Sequence, residues 1–210
     1  MSVRTTKRLT KKKIDESLPK AKTVLSFTGK IVSNNTDDNL REFMVNFCVE
    51  DSTFAVYEKV IPNSGFPGGK YLKETKATCP DTGKPYSADD VYVGSVIVVN
   101  GWRFKLVDAS EGTLRIIEQK ADIFQKSSMK TILNPISKKA NGKKGNKSEI
   151  EASFKEFDPR DHGKVTREQL QKVLQKNNIS MGEQEFIILF RKYQFAGADR
   201  FLYKDFLADI

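Results

Sequence analysis

The stretch VYVGSVIVVNGWRFKLVD, residues Val91 to Asp108, decides the fold of the first half of the chain. Two apolar runs flank Asn100-Gly101, a dipeptide that supplies the two positive φ angles of a tight hairpin turn. After the turn, Trp102, Phe104 and Leu106 alternate with other side chains, which is the period of a strand with one buried face. The stretch therefore predicts a β-hairpin.

The same alternation occurs upstream in REFMVNFCVEDSTFAVYEKV, residues 41–60. Phe43, Val45 and Phe47 point one way along a predicted strand. The short polar turn EDST then leads to Phe54 and Val56 on a second strand. Short strands with turn residues between them and little helix predict a compact antiparallel roll or barrel over residues 23–125.

The two cysteines do not suggest a disulfide framework. Cys48 falls in the alternating run and Cys79 in a polar loop, so we expect one buried and one exposed free thiol. The charged start of the sequence has no apolar stretch behind it, unlike a secretory signal, and no apolar run is long enough to span a bilayer. The sequence thus indicates a soluble intracellular protein.

The formal net charge is +9, and it is unevenly distributed. Residues 1–22 hold eight Lys or Arg against two acids, and residues 126–147 hold seven Lys and no acid, so the rest is mildly acidic. We predict a basic N-terminal arm over 1–22 and a Lys-rich linker over 126–147, where Pro135 argues against a continuous helix. Basic segments of this kind suit an acidic polymer surface, although inert solvated tails are the alternative.

Three residue pairs after the linker fit the capping box, in which a hydroxyl and a side chain three residues later satisfy each other's backbone donors. The pairs are Ser148 with Glu151, Thr166 with Gln169, and Ser180 with Glu183. Apolar residues at helical spacing follow each pair. Four helices in two pairs are the layout of two EF-hands, so we predict a small all-α EF-hand pair over residues 148–210.

The two predicted EF loops lack the ligands that calcium needs at loop positions 1, 3, 5 and 12. In the first loop, Asp158 is at position 1, Arg160 at 3 and His162 at 5, and Gln169 at 12 cannot supply a bidentate carboxylate. In the second loop, Asp205 at position 12 is the one acid at a ligand position, because positions 1, 3 and 5 hold Gln194, Ala196 and Ala198. We expect no calcium and no other cofactor, and we assign Thr166 and Gln169 to a helix cap.

The search for a reaction gives no candidate catalytic residues. GFPGGKYLK, residues 65–73, lacks the Gly and Ser/Thr positions of a phosphate-binding loop, although its Phe66 is a candidate partner anchor. His162 is the one histidine of the chain, which excludes a His-based metal cluster and argues against a catalytic triad. We therefore predict a protein that is not an enzyme.

Four segments in this order resemble the DM-ten (DM10) domain of ciliary axoneme proteins. The segments are LSFTGK (25–30), REFMVNFCVEDSTFAVYEK (41–59), GGKYLK (68–73) and DVYVGSVIVVNGWRFKLVDASEGTLR (90–115). Followed by a degenerate EF-hand pair, they resemble the EF-hand domain-containing family C and protofilament-ribbon proteins. Relatives carry three such domains, so the chain resembles a small member with one.

The resemblance implies a pleckstrin-homology-like roll on the luminal wall of axonemal doublet microtubules. It implies a non-enzymatic structural microtubule inner protein that stabilises the lattice in the cilium or flagellum. The expected partners are the α/β-tubulin lattice and neighbouring microtubule inner proteins, with no nucleic acid and no membrane. The candidate contact residues, by charge, are Lys7, Arg8, Lys11, Lys12, Lys13, Lys138, Lys139, Lys143 and Lys144, together with Phe66.

Two other functions remain open from the sequence. A calcium-responsive adaptor would use the EF-hand pair as an interaction module. A phosphoinositide- or nucleic-acid-binding protein would use the basic segments, because Lys and Arg neutralise phosphates, but the basic residues lie outside the predicted roll.

Overall fold

The computed structural model describes residues 22–142, 147–196 and 198–210. The predicted arm up to residue 21, including Lys7, Arg8, Lys11, Lys12 and Lys13, lies outside the described residues. Lys143 and Lys144 of the predicted linker also lie outside them.

The first half of the described chain is a curled antiparallel sheet of six strands. The strands are β1 (Val24–Ile31), β2 (Phe43–Cys48), β3 (Thr53–Glu58), β4 (Gly69–Lys76), β5 (Val96–Val99) and β6 (Trp102–Ala109). Their order across the sheet is β4-β3-β2-β1-β6-β5, so most neighbours in space are also neighbours in sequence. A 3₁₀ turn, Thr36–Leu40, follows β1.

The predicted hairpin at Asn100-Gly101 is confirmed. Val99 pairs with Trp102 across the turn, and the φ angles of Asn100 and Gly101 are 50° and 81°. Both angles lie in the left-handed region that Asn and Gly tolerate best. The turn fixes the register of β5 against β6.

The alternating residues of β2, β3 and β6 form the core of the sheet, as their pattern predicts. Phe43, Phe47, Phe54 and Phe104 are at most 1% exposed, and their rings contact one another or Tyr71 and Tyr86. Such edge-to-face and tilted contacts add to the hydrophobic stabilisation from burial. The sheet therefore curls around a largely aromatic centre.

The expectation for the cysteines is half right. Cys48 is a buried free thiol, but Cys79 is also buried, with 6% of its surface exposed. The Cys79 N–H donates to the Lys84 carbonyl at 2.8 Å, and the Gly83 N–H donates to the Cys79 carbonyl at 2.9 Å. This tight turn folds the polar loop back and brings the thiol against the sheet core.

Helix α1 (Glu111–Gln119) follows β6 and is a feature that the sequence analysis missed. The Ser110 hydroxyl accepts a hydrogen bond from the Thr113 N–H at the start of the helix. The Thr113 hydroxyl accepts from the Ser26 N–H at 2.7 Å and donates to the Ser26 carbonyl at 3.1 Å. These bonds fasten the first turn of α1 to β1.

Helix α2 (Met129–Ala140) runs through Pro135, so the expectation of no continuous helix there is wrong. Pro135 is exposed, while Ile132, Ile136 and Ala140 recur every four residues and are at most 3% exposed. Burial of this apolar face stabilises the helix enough to offset the cost of an interior proline, which is about 3 kcal/mol. The segment expected to act as a flexible linker is therefore packed structure at least as far as Ala140.

Four helices and a two-stranded ribbon complete the described chain. They are α3 (Lys147–Phe157), β7 (Lys164–Val165), α4 (Arg167–Lys176), α5 (Glu183–Lys192), β8 (Phe201–Leu202) and α6 (Tyr203–Asp209). The predicted cap of Thr166 with Gln169 is confirmed at the start of α4. The other two caps are wrong, because α3 begins before Ser148 and α5 is capped by Gly182 with Glu185.

The fold class is α+β, as predicted. Within the described ranges, no helix combines the length and apolar character required for a membrane span. Helix α2 contacts both α3 and α5, and one continuous set of buried residues runs from the sheet into the helices. The described residues thus share one core.

Candidate functional site

The two loops between the paired helices meet at the β7–β8 ribbon. Val165 pairs with Phe201, and each is the eighth residue of its loop when the loops are counted from Asp158 and Gln194. Phe201 is fully buried and lies against Phe154 and Phe206. The ribbon holds the loops side by side over an aromatic core.

Asp158, at the first position of the first loop, is an internal hydrogen-bond acceptor. It is 5% exposed, and its Oδ2 accepts from the Gly163 N–H at 2.7 Å and from the Tyr203 hydroxyl at 3.1 Å. Burial alone would raise the pKa of Asp158, but hydrogen bonds from the backbone N–H groups of His162 and Gly163 hold it below its usual range. Asp158 therefore stabilises the loop as a carboxylate.

The side chains at position 12 of the two loops are in different situations. The Gln169 Oε1 accepts from the Thr166 N–H at 2.7 Å and so belongs to the helix cap. Asp205 is exposed at the start of α6. Among residues 22–142, 147–196 and 198–210, no group of three or more His, Cys, Asp or Glu could hold a metal ion. That calcium does not bind stays a prediction, and this geometry supports it.

A buried glutamine on α5 joins the helices to the sheet. Gln184 is 1% exposed, and its Oε1 accepts from the Val93 N–H at 3.0 Å. Its Nε2 donates to the Ser127 hydroxyl at 3.4 Å, just before α2. One side chain thus satisfies polar groups from two other parts of the chain.

Arg191, two turns further along α5, continues this contact onto α1. Its Nε donates to Glu118 at 2.6 Å, and its Nη1 donates to Glu111 at 2.8 Å. The pKa of the Arg191 guanidinium is raised by Glu118 first and Glu111 second, and Arg191 in turn lowers the pKa of Glu111. We call the contacts of Gln184 and Arg191 the α5 interface. It holds the helices against the sheet.

An open cleft of about 890 Å³ lies beside the α5 interface, between α1, α2 and α5. Its lining combines apolar side chains, such as Met129 and Ile188, with acids and bases. Glu111 and Glu118 on its wall are already paired with Arg191. The cleft has no excess of either charge and does not indicate a particular ligand.

The predicted contact residues inside the described chain are in different situations. Lys138 is exposed near the end of α2. The Lys139 ammonium instead donates to the backbone carbonyls of Asn177 and Asn178 just after α4. The Phe66 ring is half-buried, with the Arg41 guanidinium 4.4 Å from its centroid. The structure therefore does not bring these residues together, and their role in binding a partner stays a prediction.

Arg41 is itself held in a polar and aromatic cluster at one end of the sheet. Its Nε donates to Glu58 at 2.6 Å and its Nη1 to Asp38 at 2.9 Å, and all three side chains are at most 12% exposed. The Ser33 hydroxyl and Arg41 lower the pKa of Asp38. The cluster holds the loop that carries Phe66 against the sheet, which leaves one face of that ring covered.

Sequence reasoning missed Gln184 and Arg191, although a signal was present. Gln184, Ile188 and Arg191 repeat at intervals of four and three residues, which places them on one face of α5. The apolar face of Phe186, Leu189 and Phe190 lies on the other side. A helix with two patterned faces packs on two sides, and only one side was used in the sequence analysis.

Comparison with known proteins shows which domain family and which proteins the chain is similar to. Residues 14–113 match the DM10 domain family, which confirms the resemblance found in the sequence. Its relatives are EF-hand domain-containing proteins, as the sequence predicted. The chain is 32% identical over 181 residues to EF-hand domain-containing family member C2 of Danio rerio and 28% identical over 181 residues to that of Mus musculus. It is 29% identical over 133 residues to EF-hand domain-containing protein 1 of Homo sapiens.

The matches differ in how much they cover. The two family member C2 alignments span 81% of this chain and the alignment with protein 1 spans 61%. The same alignments span only 21–23% of the relatives, so the chain matches under a quarter of their length.

Proposed function

We propose that this chain is a non-enzymatic structural protein of the axoneme that binds the luminal wall of doublet microtubules as a microtubule inner protein. The observation that carries the proposal is the confinement of the basic excess to residues 1–22 and 126–147, in a relative of the DM10 family. A tubulin wall is acidic and repeats along its length, so several weak basic contacts on one chain reinforce each other.

The fold supports this reading at a finer level. We propose that the sheet with α1 is a pleckstrin-homology-like roll and that α3 to α6 form a degenerate EF-hand pair. The antiparallel order, the closing helix and the pairing of both loops at their eighth residues are the features that support it. A loop whose carboxylate is committed to Gly163 and Tyr203 keeps its shape without an ion.

The packing of α2 supports a scaffold rather than a calcium-responsive adaptor. An adaptor of that class opens its helices to expose an apolar groove when calcium binds. Here α2 packs against both α3 and α5, and the Lys139 ammonium holds the end of α2 to the carbonyls after α4. Helices that α2 keeps closed in this way are suited to partner contacts that do not change with calcium.

Co-pelleting of the whole chain with microtubules tests the proposal. Because α2 is part of the packed body, deletion of the linker would unfold the protein, so Lys→Gln changes are the better perturbation. The arm variant changes the basic residues Lys7, Arg8, Lys11, Lys12 and Lys13, and the helix variant changes the exposed Lys130 and Lys138. Lys139 is left intact. A matched control changes Lys73 and Lys84, which are exposed on the sheet side.

We expect the arm variant to lose about tenfold or more in affinity and to show a shallower salt dependence, because fewer charges take part in binding. The helix variant should lose less and the control very little. Protein added before tubulin polymerises should bind better than protein added afterwards, since the lumen is closed by the wall. Equal pelleting of all variants, or pelleting that does not change with salt concentration, would contradict the proposal. A tagged copy found outside the axoneme of a ciliated cell would contradict the proposed localisation.

A further inference from the structure

A recess of about 550 Å³ lies at the mouth of the first loop, where a calcium-binding EF-hand would present its carboxylates. Its lining comes from both loops. Most of the lining residues belong to the first loop, and Arg200 belongs to the second. The recess is therefore built by the β7–β8 ribbon, which brings Arg200 of the second loop beside the first.

The charge of this recess is inverted relative to a calcium site. Three permanent cations, Arg160, Lys164 and Arg200, line it, and in the part of the chain that the structure describes none of them has a carboxylate oxygen within 4.0 Å. Its one acid, Asp158, is buried and directs its carboxylate inward to Gly163. The recess thus combines concave shape with unpaired positive charge.

Three lysines on the neighbouring helices differ from the cations of the recess. Lys155 pairs with Glu151 at 2.7 Å, Lys204 pairs with Asp161 at 2.9 Å, and the Lys176 ammonium pairs with Glu156. These three lysines are thus balanced locally, while the three cations that line the recess are not. Like charges gathered in a concave surface raise the local potential and attract anions.

The side chains also limit the kind of anion. The Lys164 ammonium lies 3.5 Å from the centroid of the Phe195 ring, which is 41% exposed beside the recess. Phe157 and Pro159 add apolar surface to its lining. Loops that bind phosphate present backbone N–H groups, but the Gly163 N–H is already donated to Asp158. Arginine forks with apolar walls fit the carboxylate and methylene groups of glutamate side chains.

We propose that this recess is a binding site for a glutamate-rich segment of an acidic protein partner, held by Arg160 and Arg200. The site replaces calcium binding by carboxylate binding on the same loop. It deepens the proposed function by naming a surface that meets an acidic lattice, and it rests on that function only for the identity of the partner.

Fluorescence anisotropy with a labelled sixteen-residue polyglutamate peptide tests the site on the whole chain at low ionic strength. The test variant is Arg160→Glu with Arg200→Glu, and the matched control is Lys73→Glu with Lys84→Glu, which changes the net charge by the same amount. All four side chains are exposed. Thermal unfolding checks that both variants are folded.

We expect the recess variant to bind the peptide about tenfold or more weakly, and the control to stay within about threefold of the wild type. Equal weakening in both variants would mean that peptide binding depends only on net charge, and this would overturn the proposal. Unchanged binding in both variants would also overturn it. Displacement of the peptide by inorganic phosphate, beyond the effect of potassium chloride at matched ionic strength, would overturn the assignment to carboxylates. Added calcium should change nothing.

Parallel microtubule co-pelleting separates this site from the proposed function. If the wild type binds the peptide but does not pellet with microtubules, the proposed function fails and the site stands. If the wild type pellets and the peptide does not bind, the site fails and the proposed function stands.

Discussion

Replacement of Asp158 by alanine is the sharpest test of whether the first loop is held by the protein or by an ion. The substitution leaves the buried Gly163 N–H without its acceptor, whereas the Tyr203 hydroxyl keeps a second acceptor, the Asp161 carboxylate at 3.2 Å. A buried donor without a partner costs about 1–3 kcal/mol. Loss of the acceptor of Gly163 should therefore lower the free energy of unfolding by about 1–3 kcal/mol.

The expected fall in melting temperature is large enough to measure by circular dichroism. For a chain of about 200 residues, each kcal/mol shifts Tm by about 2–4 °C, so a loss of about 2 kcal/mol lowers Tm by about 4–8 °C. The matched control is Asp205→Ala, which removes the other acid at a ligand position. Asp205 is exposed on α6, so its loss should cost no more than about 0.5 kcal/mol.

The second part of the experiment measures the effect of added calcium on Tm. A site of micromolar affinity would stabilise the wild type by about 4 kcal/mol at a thousandfold excess of calcium over its dissociation constant. We expect no change in Tm on addition of calcium or of a chelator. A calcium-dependent rise in the Tm of the wild type that both alanine variants abolish would refute the assignment of Asp158 to a purely structural role. So would an Asp158→Ala protein as stable as Asp205→Ala.

Three further predictions follow from the described contacts. Pro135→Ala should raise Tm, because it restores a helical hydrogen bond and removes a clash worth up to about 3 kcal/mol, and a fall in Tm would mean that α2 needs its proline. Gln184→Leu should cost about 1–3 kcal/mol and expose the Val93 amide to hydrogen exchange, whereas unchanged protection of that amide would remove Gln184 from the interface. Because the folded-state pKa of Asp158 lies below its usual value, its stabilisation is present above about pH 4 and is lost as pH falls through the folded-state pKa. Urea unfolding toward about pH 3 should therefore show a smaller loss for Asp158→Asn than for the wild type, and equal losses would contradict the assignment.

The parts of the fold that the sequence predicted well are those in which local chemistry decides the structure. Asn100-Gly101 specifies its turn by backbone angles alone, and Thr166 with Gln169 specifies a cap within four residues. The alternation through Phe43, Val45 and Phe47 needs only a buried face. None of these depends on what lies elsewhere in the chain.

The parts that it missed depend on partners distant in sequence. Helix α2 contains Pro135 and lysines that argue for a linker, and burial of Ile136 against the other helices overrides them. Helix α1 contains Gly112, and its first turn exchanges hydrogen bonds between Thr113 and Ser26, 87 residues away. Propensity is a weak guide where tertiary contacts of this kind provide most of the stability.

The candidate site also combines features that local sequence predicts with features that depend on distant residues. The loss of calcium ligands was readable at single positions, such as Arg160 in place of a carboxylate. The recess could not be predicted from single positions, because Arg200 reaches it only through the pairing of Val165 with Phe201. Two loops must be placed side by side before their charges can be added.

The α5 interface has a consequence for experiments that cut the chain into pieces. A fragment that ends near residue 125 would leave the Val93 N–H without its acceptor and bring Ile117 and Phe124, now at most 5% exposed, to water. Such a fragment is expected to self-associate through its newly bared apolar surface. Binding of such a fragment to a polymer would then reflect its exposed apolar surface and not the native protein. Truncation is therefore unsuited to locating the binding region of this chain.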